Sequence, residues 1–348
     1  MDDLYPVLPR FVEDELGGTG ASVGMAVGSF GVTAALLRPV AGRLGDRYGR
    51  RVLVVGGMIV VALSLLGYLV VDSLLAVVAL RLLFGAGEAF AFVGLATAIQ
   101  DMAAGPPLGE WLFDGSNYDR VWVVAAGLVA VGIVLGLATP SEPAPAPSTQ
   151  PGWIHPEAIL PGLALTGGLF GYAGFVSFVA VYADSIGLDG AGWVFTTYAV
   201  LIMAARFLAA RVPDRFGALR VSALSLVGIG LGLFILAALP SAGGLYLGVV
   251  VFAAGMAMSF AALLAFVVNR ADPNDRAFVV ASFSMLFDLA FALGAVIIGA
   301  AVALANERAG FTVGGLFALA GLLPLRSAAR RNREPGALHR DRPPAVER

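Results

Sequence analysis

Apolar runs of about 20 residues recur along almost the whole chain. Wound as a helix, such a run matches the roughly 30 Å hydrocarbon thickness of a bilayer. Ten of them lie at roughly 18–41, 52–71, 74–99, 121–138, 158–183, 191–210, 219–239, 243–268, 277–304 and 310–325. Residues 1–15 read as the second half of a further helix. Only 13% of the residues are charged and 59% are hydrophobic, against roughly 25% charged in an ordinary soluble domain. An all-α, polytopic membrane protein follows. A membrane barrel is not expected, because its strands would alternate apolar and polar residues over segments of about ten.

Charge placement gives the orientation. The chain has no lysine, so all 22 basic residues are arginine, and 18 of them fall in four places: 38–51, 206–220, 270–276 and 326–348. Short arginine-rich loops stay on the cytoplasmic side, so these four are expected inside, with Arg10, Arg120 and Arg308 on the other side. Arg81 is left within a span. The start, MDDLYPVLPR, has no basic stretch ahead of an apolar core, so no cleaved leader is expected. The cell membrane is the expected location.

The sequence repeats itself. RPVAGRLGDRYG (38–49) matches RFLAARVPDRFG (206–217) at an offset of 168, and the same offset aligns Gly24 with Gly192, Phe84 with Phe252 and Gly87 with Gly255. Between the copies lies TPSEPAPAPSTQPGWIHPEA, rich in proline and free of arginine, which reads as a linker. The expected organisation is a first helical bundle at 1–138, a linker at 139–157, a six-helix bundle at 158–325 and a basic tail at 326–348. Two helical halves joined in this way are a transporter architecture.

GRLGDRYGRR (42–51) resembles the signature of the major facilitator superfamily for the cytoplasmic loop between helices 2 and 3. ARVPDRFGAL (210–219) is similar to its copy between helices 8 and 9. RLLFGAGEAF (81–90) resembles the helix-4 motif, and GPPLGE (105–110) the end of the helix-5 motif of proton-driven antiporters. The resemblance implies a monomeric secondary transporter whose partners are a small molecule, protons and the bilayer. It further implies proton-coupled export of an apolar or amphipathic substrate. In the family the loop is a latch that breaks and reforms as the halves rock, which carries over to Gly42, Arg43, Asp46, Arg47, Gly49 and Arg50, and to Arg211, Asp214 and Arg215. The family's helix 7 lines the central cavity, which makes Gly171, Phe175, Phe178 and Tyr182 candidates for a substrate-facing stripe at i, i+4, i+7 and i+11.

Ionisable groups inside a span are costly and mark function. Arg81 and Glu88 are seven apart and share one helix face, so Glu88 is a candidate protonatable group and Arg81 its modulator. Asp288, mid-run in SMLFDLAFALG, is a candidate proton site or a polar packing contact. Asp72, Asp184 and Glu307 sit at span ends, where solvation is the simple expectation. GASVG (20–24) matches the hydrolase pattern G-x-S-x-G but opens a membrane helix instead of ending a strand. The two histidines, His155 and His339, fall in linker and tail, and there is no cysteine. No enzyme, cofactor, metal or nucleic-acid partner is expected.

One departure from the pattern stands out. Trp122, Val124 and Gly132 align with Phe311, Val313 and Gly321 at offset 189, so about one bilayer-spanning helix is expected to be missing between 98 and 122. Between the loops at 42–51 and 211–220 the runs supply five crossings, and an even number is required for both to face one side. The alternative to a working exporter is therefore a transport-deficient relic, or a membrane binding protein, that retains the fold.

Overall fold

The structure is a computed structural model and describes residues 7–48, 50–95, 118–138, 153–188, 190–209, 212–271 and 275–333. Each expected run is a helix, because in lipid every backbone group has to bond within its own segment. In the first half a short α1 (Leu8–Arg10) enters a π turn at Phe11–Glu15. It is followed by α2 (Gly20–Tyr48), α3 (Arg50–Gly67, extended by a 3₁₀ turn at Tyr68–Val70), α4 (Leu74–Leu95) and α5 (Tyr118–Ala138). The second half holds α6 (Pro156–Ser185), α7 (Gly192–Ala209), the short α8 (Val212–Phe216) and α9 (Ala218–Ala238). It closes with α10 (Ala242–Arg270), α11 (Arg276–Leu304), α12 (Glu307–Ala320) and α13 (Leu322–Arg333). Among the described residues, eight spans are long and apolar enough to cross a membrane.

Helix starts are fixed locally. Ser241 and Asn306 accept from the backbone N–H groups of Gly244 and Ala309, and His155 accepts from that of Glu157. These caps satisfy donors that the first turn leaves open. His155 was expected in the linker; it is instead the buried cap of α6, followed by a proline in the first turn. Residues 326–333, expected in the tail, continue the last helix.

Contacts give each helix its direction. Gly57 of α3 backs onto Gly87 of α4 and Gly67 onto Leu80, so these two are antiparallel. Arg81 reaches Ala26 and Val27 of α2, and Gly85 meets Phe30, so α2 and α4 run together. Trp122 of α5 stacks on Tyr68, and Gly132 meets Met58, which makes α5 antiparallel to α3. Hence α4 and α5 point the same way. Both start at the end opposite the arginine clusters and finish at the arginine-rich end, and residues 96–117 join the finish of one to the start of the other.

The halves meet along α2 and α11. Gly20, Gly24, Gly28 and Gly31 form a stripe on α2 that faces Gly299, Ala295, Ala292 and Asp288 of α11. A Cβ at Gly28 would stand 2.6 Å from the Ala292 carbonyl oxygen, and one at Gly31 2.5 Å from that of Asp288. Only glycine permits this approach. Helices in lipid gain little from hydrophobic transfer, so such close backbone packing is a principal source of adhesion. In the second half, α6 is the central post, packed by α9, α10, α11, α12 and α13.

Candidate functional site

The seam between the halves carries a buried ion pair. Arg38 of α2 donates from Nε to Oδ2 of Asp288, and from Nη2 to Oδ1 at 2.8 Å. The two side chains are 3% and 2% exposed. Arg38 lies ten residues before the end of α2 and Asp288 twelve after the start of α11. At 1.5 Å per residue that is about 15 and about 18 Å along the two helices from the arginine-rich end. In the sequence Arg38 stands with the arginine cluster at 38–51, 250 residues from its partner Asp288.

A chain of aromatic rings crosses both halves about one turn from this pair. It runs from Phe84 of α4 through Phe30 of α2, Phe291 of α11, Tyr172 of α6 and Tyr198 of α7 to Phe252 of α10, with centroid separations of 5.5 to 6.3 Å. The 168 offset places Phe30 on Tyr198 and Phe84 on Phe252, so the chain follows the internal repeat. Arg81 sits at one end of it, 1% exposed, with its guanidinium 4.6 Å from the Phe30 ring centroid and 5.2 Å from that of Phe84. Arg81 donates to the carbonyls of Ala26 (3.1 Å) and Val27 (3.0 Å). None of its hydrogen bonds goes to Glu88, which is half-buried two turns along α4. The expected Arg81–Glu88 partnership is replaced by one between Arg81 and the backbone of α2.

Comparison with known proteins agrees with this architecture. The family model described as Major Facilitator Superfamily matches residues 4–104 and 162–346. This chain belongs to the major facilitator superfamily. Its relatives include the uncharacterised MFS-type transporter STM4428 of Salmonella typhimurium, 28% identical over 322 residues, with 82% of this chain and 81% of the relative covered. Another is the uncharacterised MFS-type transporter YhhS of Escherichia coli K12, 26% identical over 357 residues, with 93% and 88% covered. Since 93% of 348 residues is about 324, roughly 30 of those 357 aligned positions have no residue here. Among solved structures, a variant of the nucleoside transporter NupG superposes with a TM-score of 0.74 at 16% identity, covering 94% of this chain and 95% of its own. The human organic anion transporter MFSD10 superposes with 0.68 at 19% identity, covering 88% and 83%.

The remaining candidates of this superfamily member divide. Gly171 packs on Leu233 and Gly314, and Phe175 is ringed by Phe195, Tyr198 and Phe252. Tyr182 donates its hydroxyl to the Leu236 carbonyl (2.7 Å) with its ring edge on Phe311. With Phe178 fully buried, the stripe expected to face substrate is here the packing surface of α6. The latch side chains of Gly42, Arg43, Asp46, Arg47, Arg50, Arg211 and Asp214, and Gly49 altogether, lie outside the described residues, as does GPPLGE; Arg215 is exposed, 5.7 Å from the Phe216 ring centroid. Of the acids expected to be merely solvated at span ends, Asp184 pairs with Arg10 of the first half, and Glu307 is near enough to raise Glu13.

Proposed function

We propose that this transporter exports a small apolar or amphipathic molecule in exchange for protons, by rocking its two halves about the α2–α11 seam. The loops at 42–51 and 211–220 and the tail are on the cytoplasmic side of the cell membrane. The observation that carries this reading is the buried Arg38–Asp288 pair. It is a fully buried ion pair shared between the halves. A proton on Asp288 removes the charge–charge attraction and leaves Arg38 only hydrogen bonds to a neutral carboxyl, so protonation and separation of the halves are energetically linked. The contacts of Gly20, Gly24 and Gly28 with α11 and of Arg10 with Asp184 run from this level toward the end opposite the arginines, which suits a state closed outside. Glu88 is a second protonatable candidate in the same membrane layer.

The test is efflux of ethidium, an amphipathic fluorescent probe, from vesicles holding the purified protein under an imposed pH gradient. Flux that follows the gradient in the parent and is lost in Asp288→Asn supports the reading; flux indifferent to the gradient refutes it. The aligned positions with no residue here favour a second reading, a relic that keeps the fold. An absence of flux for every probe tried, in a protein that still folds, supports that one.

A further inference from the structure

At the end opposite the arginine clusters the halves meet again, through charge. Arg10, 6% exposed at the end of α1, holds Asp184 of α6 by three hydrogen bonds: Nε to Oδ2 at 3.2 Å, and Nη2 to Oδ2 and Oδ1 at 3.0 and 3.3 Å. Three residues on, beyond the eight spans, Glu13 is half-buried and near enough to Glu307, the first residue of α12, for the two carboxylates to repel. Asp14 and Glu15 follow in the same π turn, and Asp14 accepts from the hydroxyl of Tyr118, the first residue of α5, at 3.2 Å. Arg308, beside Glu307, directs its Nε to the Ala237 carbonyl of α9 at 2.6 Å. Burial, then the carboxylates of Glu307 and Asp14, raise Glu13 to about 7. Attraction between Arg10 and Asp184 and repulsion between Glu13 and Glu307 thus oppose each other across one seam.

We propose that this end of the protein is a proton-operated clasp. A proton on Glu13 lets the Arg10–Asp184 pair hold the outer seam shut, and its loss sets Glu13 against Glu307 and parts α1 from α6 and α12. The inference deepens the alternating-access reading above and rests on it in one respect, that the seam opens. The direction follows from linkage. When the seam parts, Glu13 returns to water and to the ordinary carboxylate range, so the closed form binds the proton more tightly. Closure is favoured in acid and weakens as pH rises through about 7. For a proton-driven exporter, an acidic exterior would thereby close the outer mouth and reset the protein toward the cytoplasm.

The chain has no native cysteine, so paired labels report without background. Spin labels on Thr19→Cys and Leu239→Cys, both exposed at this end and on opposite halves, read the seam in nanodiscs. A short distance should dominate at pH 5.5, and a longer component should grow toward pH 8.5 with its midpoint near 7. Glu13→Gln should keep the short distance throughout, Glu307→Gln should lower the midpoint, and Asp184→Asn should show the long component even in acid. Glu13→Gln is isosteric and half-exposed, so it decides the matter even if Asp184→Asn does not fold. A parent distribution unchanged by pH, or a Glu13→Gln protein that titrates like the parent, overturns the clasp. If the distance moves as stated while ethidium flux ignores the gradient, the clasp stands and the exchange reading fails.

Discussion

Replacing Arg38 with Met and Asp288 with Val, singly and together, probes the centre of the seam. Both side chains are almost fully excluded from solvent and bond through two contacts. Removing one partner leaves the other charge buried without compensation, a change that costs about 3–5 kcal/mol. That is roughly two to three and a half decades in an equilibrium constant. Replacing both with apolar groups of similar size removes the uncompensated charge and is about neutral, or stabilising by about 1–4 kcal/mol. Each single variant should therefore melt well below the parent, and the double variant at or above it. Because the pair joins the halves, part of the single-variant cost can be relieved by parting the seam, so the labelled distance between positions 19 and 239 should lengthen as well. Thermal unfolding in detergent by circular dichroism gives the first quantity and spin-label distances the second. Losses that simply add in the double variant would show that the two charges do not act as a pair, and the reasoning would fail.

Gly28→Val drives a side chain into the Ala292 carbonyl; overpacking of about 1–3 kcal/mol, borne by the closed seam, should favour the parted form about 5–150-fold with little change in helicity. His155→Ala removes the cap of α6 and should lower stability by about 1 kcal/mol, read as a drop in melting temperature without loss of flux. Glu88→Gln should abolish gradient-driven ethidium movement if Glu88 carries the proton, and wild-type flux would exclude it from coupling. Ser116→Cys, two residues before the start of α5, should react with an impermeant maleimide from outside only; reaction from the cytoplasm would invert α5.

The spans were legible because a bilayer-length apolar run leaves the backbone no alternative to a helix; the helix at 20–48 overruns its expected end by about two turns, and those at 242–270 and 276–304 differ from expectation by no more than two residues at either end. Pairing between spans was harder to read. Arg38 was grouped with Arg43 and Arg47 by its position in the sequence, although it lies within the apolar run of α2, and its partner is 250 residues away. The Arg81–Glu88 idea rested on a shared helix face. Seven residues of rise are about 10 Å, whereas the Ala26 and Val27 carbonyls are within hydrogen-bond reach. Periodicity also placed Gly171, Phe175, Phe178 and Tyr182 on one face of α6, but a face on a central post meets other helices whichever way it points. The acids at span ends could not be assigned partners because what they face is set by how the halves dock.

The internal repeat makes the seam asymmetric. By the 168 offset α7 is the counterpart of α2, and the counterpart of α11 is the stretch between α4 and α5. In the second half, residues 271–306 join α10 to α12 and contain all of α11; in the first, residues 96–117 join α4 to α5, 22 residues against 36. The aromatic chain has the same bias. Phe30 and Phe84 are mirrored by Tyr198 and Phe252, yet the two rings that bridge them, Phe291 and Tyr172, both come from the second half. Rocking about a twofold axis ordinarily slides two equivalent seams past each other. Here the α2–α11 seam is built in full, with its glycine stripe and buried ion pair, while its twin has little more than half the chain to work with. On the reading proposed above, the α2–α11 seam then serves as the pivot, and the free energy that separates closed from open is concentrated in Arg38–Asp288 and the outer charges of Arg10, Glu13, Asp184 and Glu307. On the same reading each of those groups offers a carboxyl to the proton, Asp288 within the seam and Glu13 at its outer end, so that a proton gradient would act on a two-half protein through its single well-formed seam.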